Sequence, residues 1–114
     1  MNTERKKELL QAYRDRRPEM GVISVRCNPT GNVFLGISRD TRADYNSILA
    51  KLRMNGHPNK TLQALWNTHG EEAFTLSLLA ELDYDDPHED HTRKLEALRQ
   101  DCLDRDPAAE KLWR

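Results

Sequence analysis

Two short apolar runs on either side of a turn constrain the fold of this chain more than any other feature. The runs are residues 21–27 and 33–37, and the sequence Asn28-Pro29-Thr30-Gly31 separates them. A turn-forming cluster of about four residues between two such runs predicts a β-hairpin. Because the second run is apolar at consecutive positions, we expect its strand to be covered on both faces.

The rest of the chain predicts helices and one further strand. Apolar residues recur at helical spacing, and Gly56 followed by Pro58 ends one of these helical segments. Alternation of apolar and polar residues from Phe74 onwards favours a third strand. The predicted helices cover residues 3–16, 42–54, 60–68 and 90–104, and the third strand covers 73–82. This order predicts an α+β fold, with helices packed on a small three-stranded antiparallel sheet.

Length and composition limit the class of protein. The 114 residues are enough for one domain with its own core. No apolar run approaches the roughly 18 residues of a membrane span, and the N-terminus has no apolar signal segment, so we expect a cytoplasmic protein without a membrane partner. Cys27 and Cys102 lack metal-ligand spacing and are expected to be reduced thiols.

Charge is divided unequally along the chain. Residues 1–60 hold 12 basic and 6 acidic side chains, whereas residues 61–114 hold 6 basic and 13 acidic ones. The two regions either face different partners or face each other. Basic residues concentrate around the second predicted helix and the loop after it, which indicates either a nucleic-acid phosphate footprint or an ordinary solvated helix face. They are Arg39, Arg42, Lys51, Arg53 and Lys60.

Three segments carry a resemblance to a known family. Gly21-Val22-Ile23, Val33-Phe34-Leu35-Gly36 and residues 57–74, HPNKTLQALWNTHGEEAF, are similar to segments of the GIY-YIG nuclease superfamily, in particular its small stand-alone bacterial members. The resemblance implies a GIY-YIG-like domain over residues 18–107. An N-terminal helical extension over 1–17 would precede it, and a C-terminal tail over 108–114 would follow it.

The resemblance also implies which positions should carry catalysis. In this family two tyrosines position and activate the attacking water, an arginine and often a histidine follow on the next helix, and a glutamate on the last helix holds one divalent metal. The corresponding positions here lack those groups. They are occupied, in the same order, by Ile23, Phe34, Asp44, Ile48 and Arg99. We therefore expect a scaffold without its catalytic groups. The resemblance implies that positions 44 and 99 face one cleft, where Asp44 and Arg99 either pair with each other, which is our hypothesis, or both point to solvent.

Three functions follow from these observations. The preferred one is a catalytically degenerate GIY-YIG protein that binds nucleic acid or a protein partner and needs no cofactor. The second is an active DNA endonuclease that uses Mg²⁺ or Mn²⁺ at a displaced site, with Tyr45, Arg42 and Glu96 as substitutes. The third is a structural or regulatory protein that associates with itself. The sequence leaves the oligomeric state open.

Metal binding is not the simplest interpretation of His57 or of the stretch from His88 to His91. His57 lies beside Pro58 and is expected to pack in a loop or cap a helix. The stretch from His88 to His91 follows Pro87 at a helix start, where acidic residues favour the helix dipole, so we expect a solvated first turn.

Overall fold

The computed structural model describes residues 18–86 and 88–113, so the helix predicted over residues 3–16 lies outside the described part of the chain. The described part has four strands and three α-helices. In chain order they are β1 (Met20–Cys27), β2 (Val33–Ser38), α1 (Thr41–Arg53), α2 (Lys60–His69), a 3₁₀ turn (Glu71–Ala73), β3 (Phe74–Leu82), α3 (Thr92–Arg105) and β4 (Ala109–Lys111). None of these helices is long and apolar enough to cross a membrane.

The α+β class is confirmed, but the prediction of a three-stranded antiparallel sheet is wrong. The sheet has four strands in the order β3-β1-β2-β4. β1 pairs antiparallel with β2 and β3, whereas β4 pairs parallel with β2. β4 has three residues, which is too short for a periodic pattern, and the sheet recruits it from the segment assigned to the C-terminal tail.

Both faces of the sheet are covered, as the apolar character of β2 predicts. Phe34 packs in the main core with side chains from α1 and α2, including Ile48 and Leu62. Its neighbour Leu35 points to the opposite face, in a cluster that Leu98 of α3 packs against. The domain is therefore a sheet with α1 and α2 on one face and α3 on the other.

A β-bulge explains why the chain needs glycine at position 21. The pairing of β1 with β3 shifts between Val22 and Ile23, which pair with Ala80 and Leu78, so Leu79 is the extra residue. A Cβ atom on Gly21 would stand 2.1 Å from the Ala80 carbonyl oxygen. Because that neighbour is backbone, it cannot yield as the end of a side chain would. Position 21 therefore requires glycine, because β1 and β3 approach each other closely there.

This contact generates a stability prediction. Gly21→Ala should lower the free energy of unfolding by about 3 kcal/mol, because the new methyl group forces β1 and β3 apart. Urea denaturation would measure the change. Gly56→Ala is the matched control, since a Cβ atom there meets nothing nearer than the Lys51 carbonyl oxygen at 3.9 Å. Equal stability of the two variants would contradict this account of the bulge.

Candidate functional site

Three of the five positions that the resemblance makes catalytic lie inside the main core. Ile23 and Phe34 are fully buried, and Ile48 on α1 is 1% exposed. All three belong to one cluster of packed apolar side chains. These positions therefore offer no hydroxyl or imidazole, and solvent does not reach them.

The chain after α3 covers this same side of the sheet. Leu112 is 3% exposed and packs in the cluster with Ile23 and Phe34. The Trp113 ring lies against the backbone of β2, because a Cβ atom on Gly36 would stand 2.9 Å from Cε2 of the indole and 3.1 Å from Cδ2 of Leu112. Glycine at this position therefore leaves the space in which the two side chains pack.

Three hydrogen bonds, two with β2 and one with the N-cap of α2, fix this segment after β4. The Leu112 amide donates to the Leu35 carbonyl at 2.8 Å, and the Trp113 indole N–H donates to the Ile37 carbonyl at 3.1 Å. The Asn59 side chain, which also caps α2, donates to the Leu112 carbonyl at 3.1 Å. We name Leu112 and Trp113 the covering segment.

The hypothesised contact between Asp44 and Arg99 is replaced by two other contacts. Asp44 accepts a hydrogen bond from the Ser38 hydroxyl, and Arg99 donates from Nη1 to the Trp113 carbonyl at 2.9 Å. In residues 18–86 and 88–113 the ion pairs are Arg39–Asp90, Arg53–Glu71 and Arg105–Asp101. Arg99 therefore holds the covering segment rather than the carboxylate of Asp44.

Glu96, the substitute metal ligand, lies on α3 between two cavities. The first, of about 550 Å³, is also lined by Asp40, Asp44 and Arg39. The second, of about 630 Å³, is lined by Arg99 and further residues of α3 and β4. The described residues contain no group of three or more His, Cys, Asp or Glu side chains placed to hold a metal. The donors therefore do not fit the divalent metal that the resemblance implies.

The other two substitutes lie elsewhere. Tyr45 packs against the main core, where burial and then the charge of Glu19 raise the pKa of its hydroxyl. Arg42 is exposed on α1. Neither lines a cavity that Glu96 lines. Neither cavity therefore brings Tyr45 or Arg42 together with Glu96.

The basic residues divide into paired and unpaired ones. Asp90 neutralises Arg39 at 3.2 Å, and Glu71 neutralises Arg53 at 2.6 Å. The hydrogen bond from Arg53 to Glu71 raises the pKa of that guanidinium. The remaining three are exposed and form no ion pair within the described chain: Arg42, Lys51 and Lys60.

Two of the histidines, His57 and His91, are buried in the interior of the fold. His57 is buried, and its Nδ1 accepts from the Asn59 amide at 3.0 Å, so it is a loop-packing residue. Burial and the nearby charge of Lys51 lower its pKa. In the His88–His91 stretch the first three residues are exposed. The expectation of a solvated turn is wrong for His91, which is buried with its ring tilted against that of Tyr84 and donates from Nε2 to the Asp86 carbonyl at 2.7 Å.

The sequence indicates that the C-terminal tail either docks through Leu112 and Trp113 or frays, but it does not show which face of the sheet the two residues cover. Leu112 and Trp113 are an apolar pair just after the Pro107 that follows the last helix. An apolar pair after the last helix indicates that this segment packs on the sheet, beside a strand that would otherwise form the edge of the sheet. Gly36 in β2 is the second half of that signal, because it leaves room for a large ring.

This architecture, a sheet covered by helices on both faces, is similar to two solved structures. One is the catalytic domain of the homing endonuclease I-TevI, with a TM-score of 0.64, 19% identity, and coverage of 75% of this chain and 86% of that one. The other is a mutant of the catalytic domain of the intron endonuclease I-TevI, with a TM-score of 0.64, 18% identity, and coverage of 76% and 82%. No protein-family model and no curated protein matches the chain. The chain therefore has a GIY-YIG-like fold, which confirms the resemblance at the level of the fold.

The environment of His57 generates a pH prediction. Its pKa is lowered in the folded protein, so the unfolded chain takes up the proton first, near pH 6.5. The free energy of unfolding should be highest above that pH and fall as the pH drops from roughly 7 to 5, by at most about 1.4 kcal/mol per pH unit. Denaturation of wild type and His57→Gln across this range would measure it.

The matched control for this experiment is His69→Gln, which removes an exposed histidine at the end of α2. Its pH dependence should follow that of the wild type, whereas His57→Gln should flatten it. Identical pH dependence of all three proteins would contradict the assignment to His57.

Proposed function

We propose that this chain is a GIY-YIG-like domain that binds nucleic acid without cleaving it. The observation that supports this most strongly is the burial of Ile23, Phe34 and Ile48 beneath Leu112 and Trp113. The face of the sheet on which the resemblance implies catalysis is filled with apolar side chains. A phosphodiester and an attacking water have no place to bind there.

The chemistry of phosphodiester hydrolysis supports the same proposal. The reaction needs a group that generates the nucleophile and cations that neutralise the developing charge. Asp44 stands at the position implied for a phosphate-binding arginine and would repel the substrate. Arg99, at the position implied for the metal-binding glutamate, cannot ligate a cation.

Nucleic acid is the favoured partner for two reasons. The two solved structures with a similar fold are catalytic domains of an endonuclease, which acts on nucleic acid. Three exposed cations, Arg42, Lys51 and Lys60, also retain their charge for phosphate contacts. Arg39 and Arg53 contribute less, because each already faces a carboxylate.

A displaced active site is the second candidate, and one observation favours it. Glu96, Asp40 and Asp44 line the same cavity beside Arg39, so three carboxylates are near one another although they are not arranged as metal ligands. This candidate requires the three carboxylates to come closer together before they could hold a divalent cation.

Cleavage of supercoiled plasmid in Mg²⁺ or Mn²⁺ separates the two candidates. The wild-type protein should nick no faster than Glu96→Ala, because the described residues of the site offer neither a nucleophile-generating group nor a set of side chains placed to hold a metal. Glu110→Ala is the matched control, an exposed glutamate on β4 that lines neither cavity. Nicking by wild type and Glu110→Ala that disappears in Glu96→Ala would establish the displaced site instead.

Binding itself is tested by salt titration with DNA and RNA oligonucleotides. Affinity should fall as salt rises, and Arg42→Gln, Lys51→Gln and Lys60→Gln should each weaken binding and reduce the slope of log K against log salt by about 0.9 for a lost phosphate contact. Arg39→Gln and Arg53→Gln remove the same charge and serve as controls with smaller effects. Equal losses in all five variants, or binding that salt does not affect, would count against the proposal.

A further inference from the structure

We infer that the cavity between α3 and β4 binds a phosphate group in its dianionic form. The cavity, which we name the Arg99 cavity, has a volume of about 630 Å³. Its wall combines cations with a side-chain amide on one helix and one short strand. The lining residues are Arg93, Glu96, Ala97, Arg99, Gln100 and Lys111.

The central observation is the burial of Arg99. The residue is 4% exposed, and it forms no ion pair within residues 18–86 and 88–113. Buried guanidinium groups are normally paired, because removing a charge from water is costly. An apolar side chain of similar size at this position of α3 would avoid that cost. Retaining arginine there points to a ligand that compensates its charge.

The hydrogen bond to the Trp113 carbonyl uses only part of the donor capacity of the Arg99 guanidinium. A guanidinium has five N–H donors, and Nη1 of Arg99 uses one of them on the Trp113 carbonyl at 2.9 Å. Arg99 is also part of the cavity wall, and within the described residues its other donors form no hydrogen bond. The planar fork of donors matches two oxygens of a phosphate.

The charges around Arg99 favour an anion with more than one negative charge. Arg93 and Lys111 contribute two further cations to the wall, against the one carboxylate of Glu96. The Gln100 amide already donates to Asp104 at 2.9 Å, so it contributes less to binding. The excess of two positive charges fits a phosphomonoester dianion better than a single carboxylate.

This inference goes beyond the proposed function, and the binding of phosphate to the cavity is tested without nucleic acid. The Arg99 cavity contains none of the exposed cations assigned to nucleic-acid binding, Arg42, Lys51 and Lys60. Loss of oligonucleotide binding with an intact phosphate response would refute only the proposed function. Loss of the phosphate response with intact oligonucleotide binding would refute only this inference.

The first test is thermal unfolding of the full chain in sodium phosphate, sodium acetate and sodium chloride at matched ionic strength and pH 7.5. Phosphate at about ten times its dissociation constant should raise the unfolding midpoint by roughly 4 °C above chloride, and the rise should saturate. Acetate should give less than half of that rise. No saturable effect, or equal effects of acetate and phosphate, would overturn the inference.

Variants assign the effect to the cavity. Arg93→Gln and Lys111→Gln should each weaken phosphate binding at least fivefold, whereas Lys94→Gln removes the same charge from the adjacent exposed position of α3 and should leave it unchanged. Arg99→Met should abolish the phosphate response. Arg99→Lys keeps the charge without the planar fork and should weaken binding about tenfold. Equal phosphate responses in Arg93→Gln and Lys94→Gln would overturn the site.

Competition identifies the source of the phosphate. A 5′-phosphorylated oligonucleotide that displaces inorganic phosphate, where its 5′-hydroxyl counterpart does not, would assign the cavity to a nucleic-acid end. Displacement by a nucleoside monophosphate alone would assign it to a small phosphomonoester. Both results require the cavity to bind the phosphate dianion. If neither competitor displaces inorganic phosphate, the inference that the cavity binds a phosphomonoester is refuted.

Discussion

The contact between Trp113 and the backbone of Gly36 is the constraint on which the functional face depends. Any side chain at position 36 would meet the indole within 2.9 Å, so the ring packs there only because β2 has a glycine at that point. The docked segment continues the parallel pairing of β4 with β2 and buries Leu112 over Ile23 and Phe34. It also supplies the carbonyl that Arg99 binds. The face of the sheet on which the resemblance implies catalysis is therefore part of the core.

The sequence was sufficient for elements with a local pattern and insufficient for those formed by distant contacts. The hairpin of β1 and β2 follows from its turn residues and its apolar runs, and the predicted ends of α1, α2, β3 and α3 lie within two residues of the observed ones. β4 has three residues and pairs in parallel with a strand more than 70 positions earlier. Its position depends on contacts with β2 and α3 that no local pattern in the sequence shows.

For the candidate site, too, the sequence predicts some features and not others. The absence of tyrosine, arginine, histidine and glutamate at the implied positions can be read from the sequence, whereas the partners of the replacing residues cannot. Asp44 and Arg99 have opposite charges, yet Ser38 and the Trp113 carbonyl compete successfully for them. The unequal charge distribution also has a partly internal meaning, because Arg39 and Arg53 of the basic half pair with Asp90 and Glu71 of the acidic half.

The most direct test of this account is an NMR measurement of nuclear Overhauser effects between the Trp113 indole and the α-protons of Gly36. In the unmodified protein we expect strong cross-peaks between them, because the ring lies against that part of β2, together with a hydrogen-bonded indole N–H that exchanges slowly with solvent. Absence of those cross-peaks, with an indole N–H that exchanges as fast as in a free peptide, would contradict the account. The face of the sheet would then be open, and the case for a domain that cannot cleave would lose its structural basis.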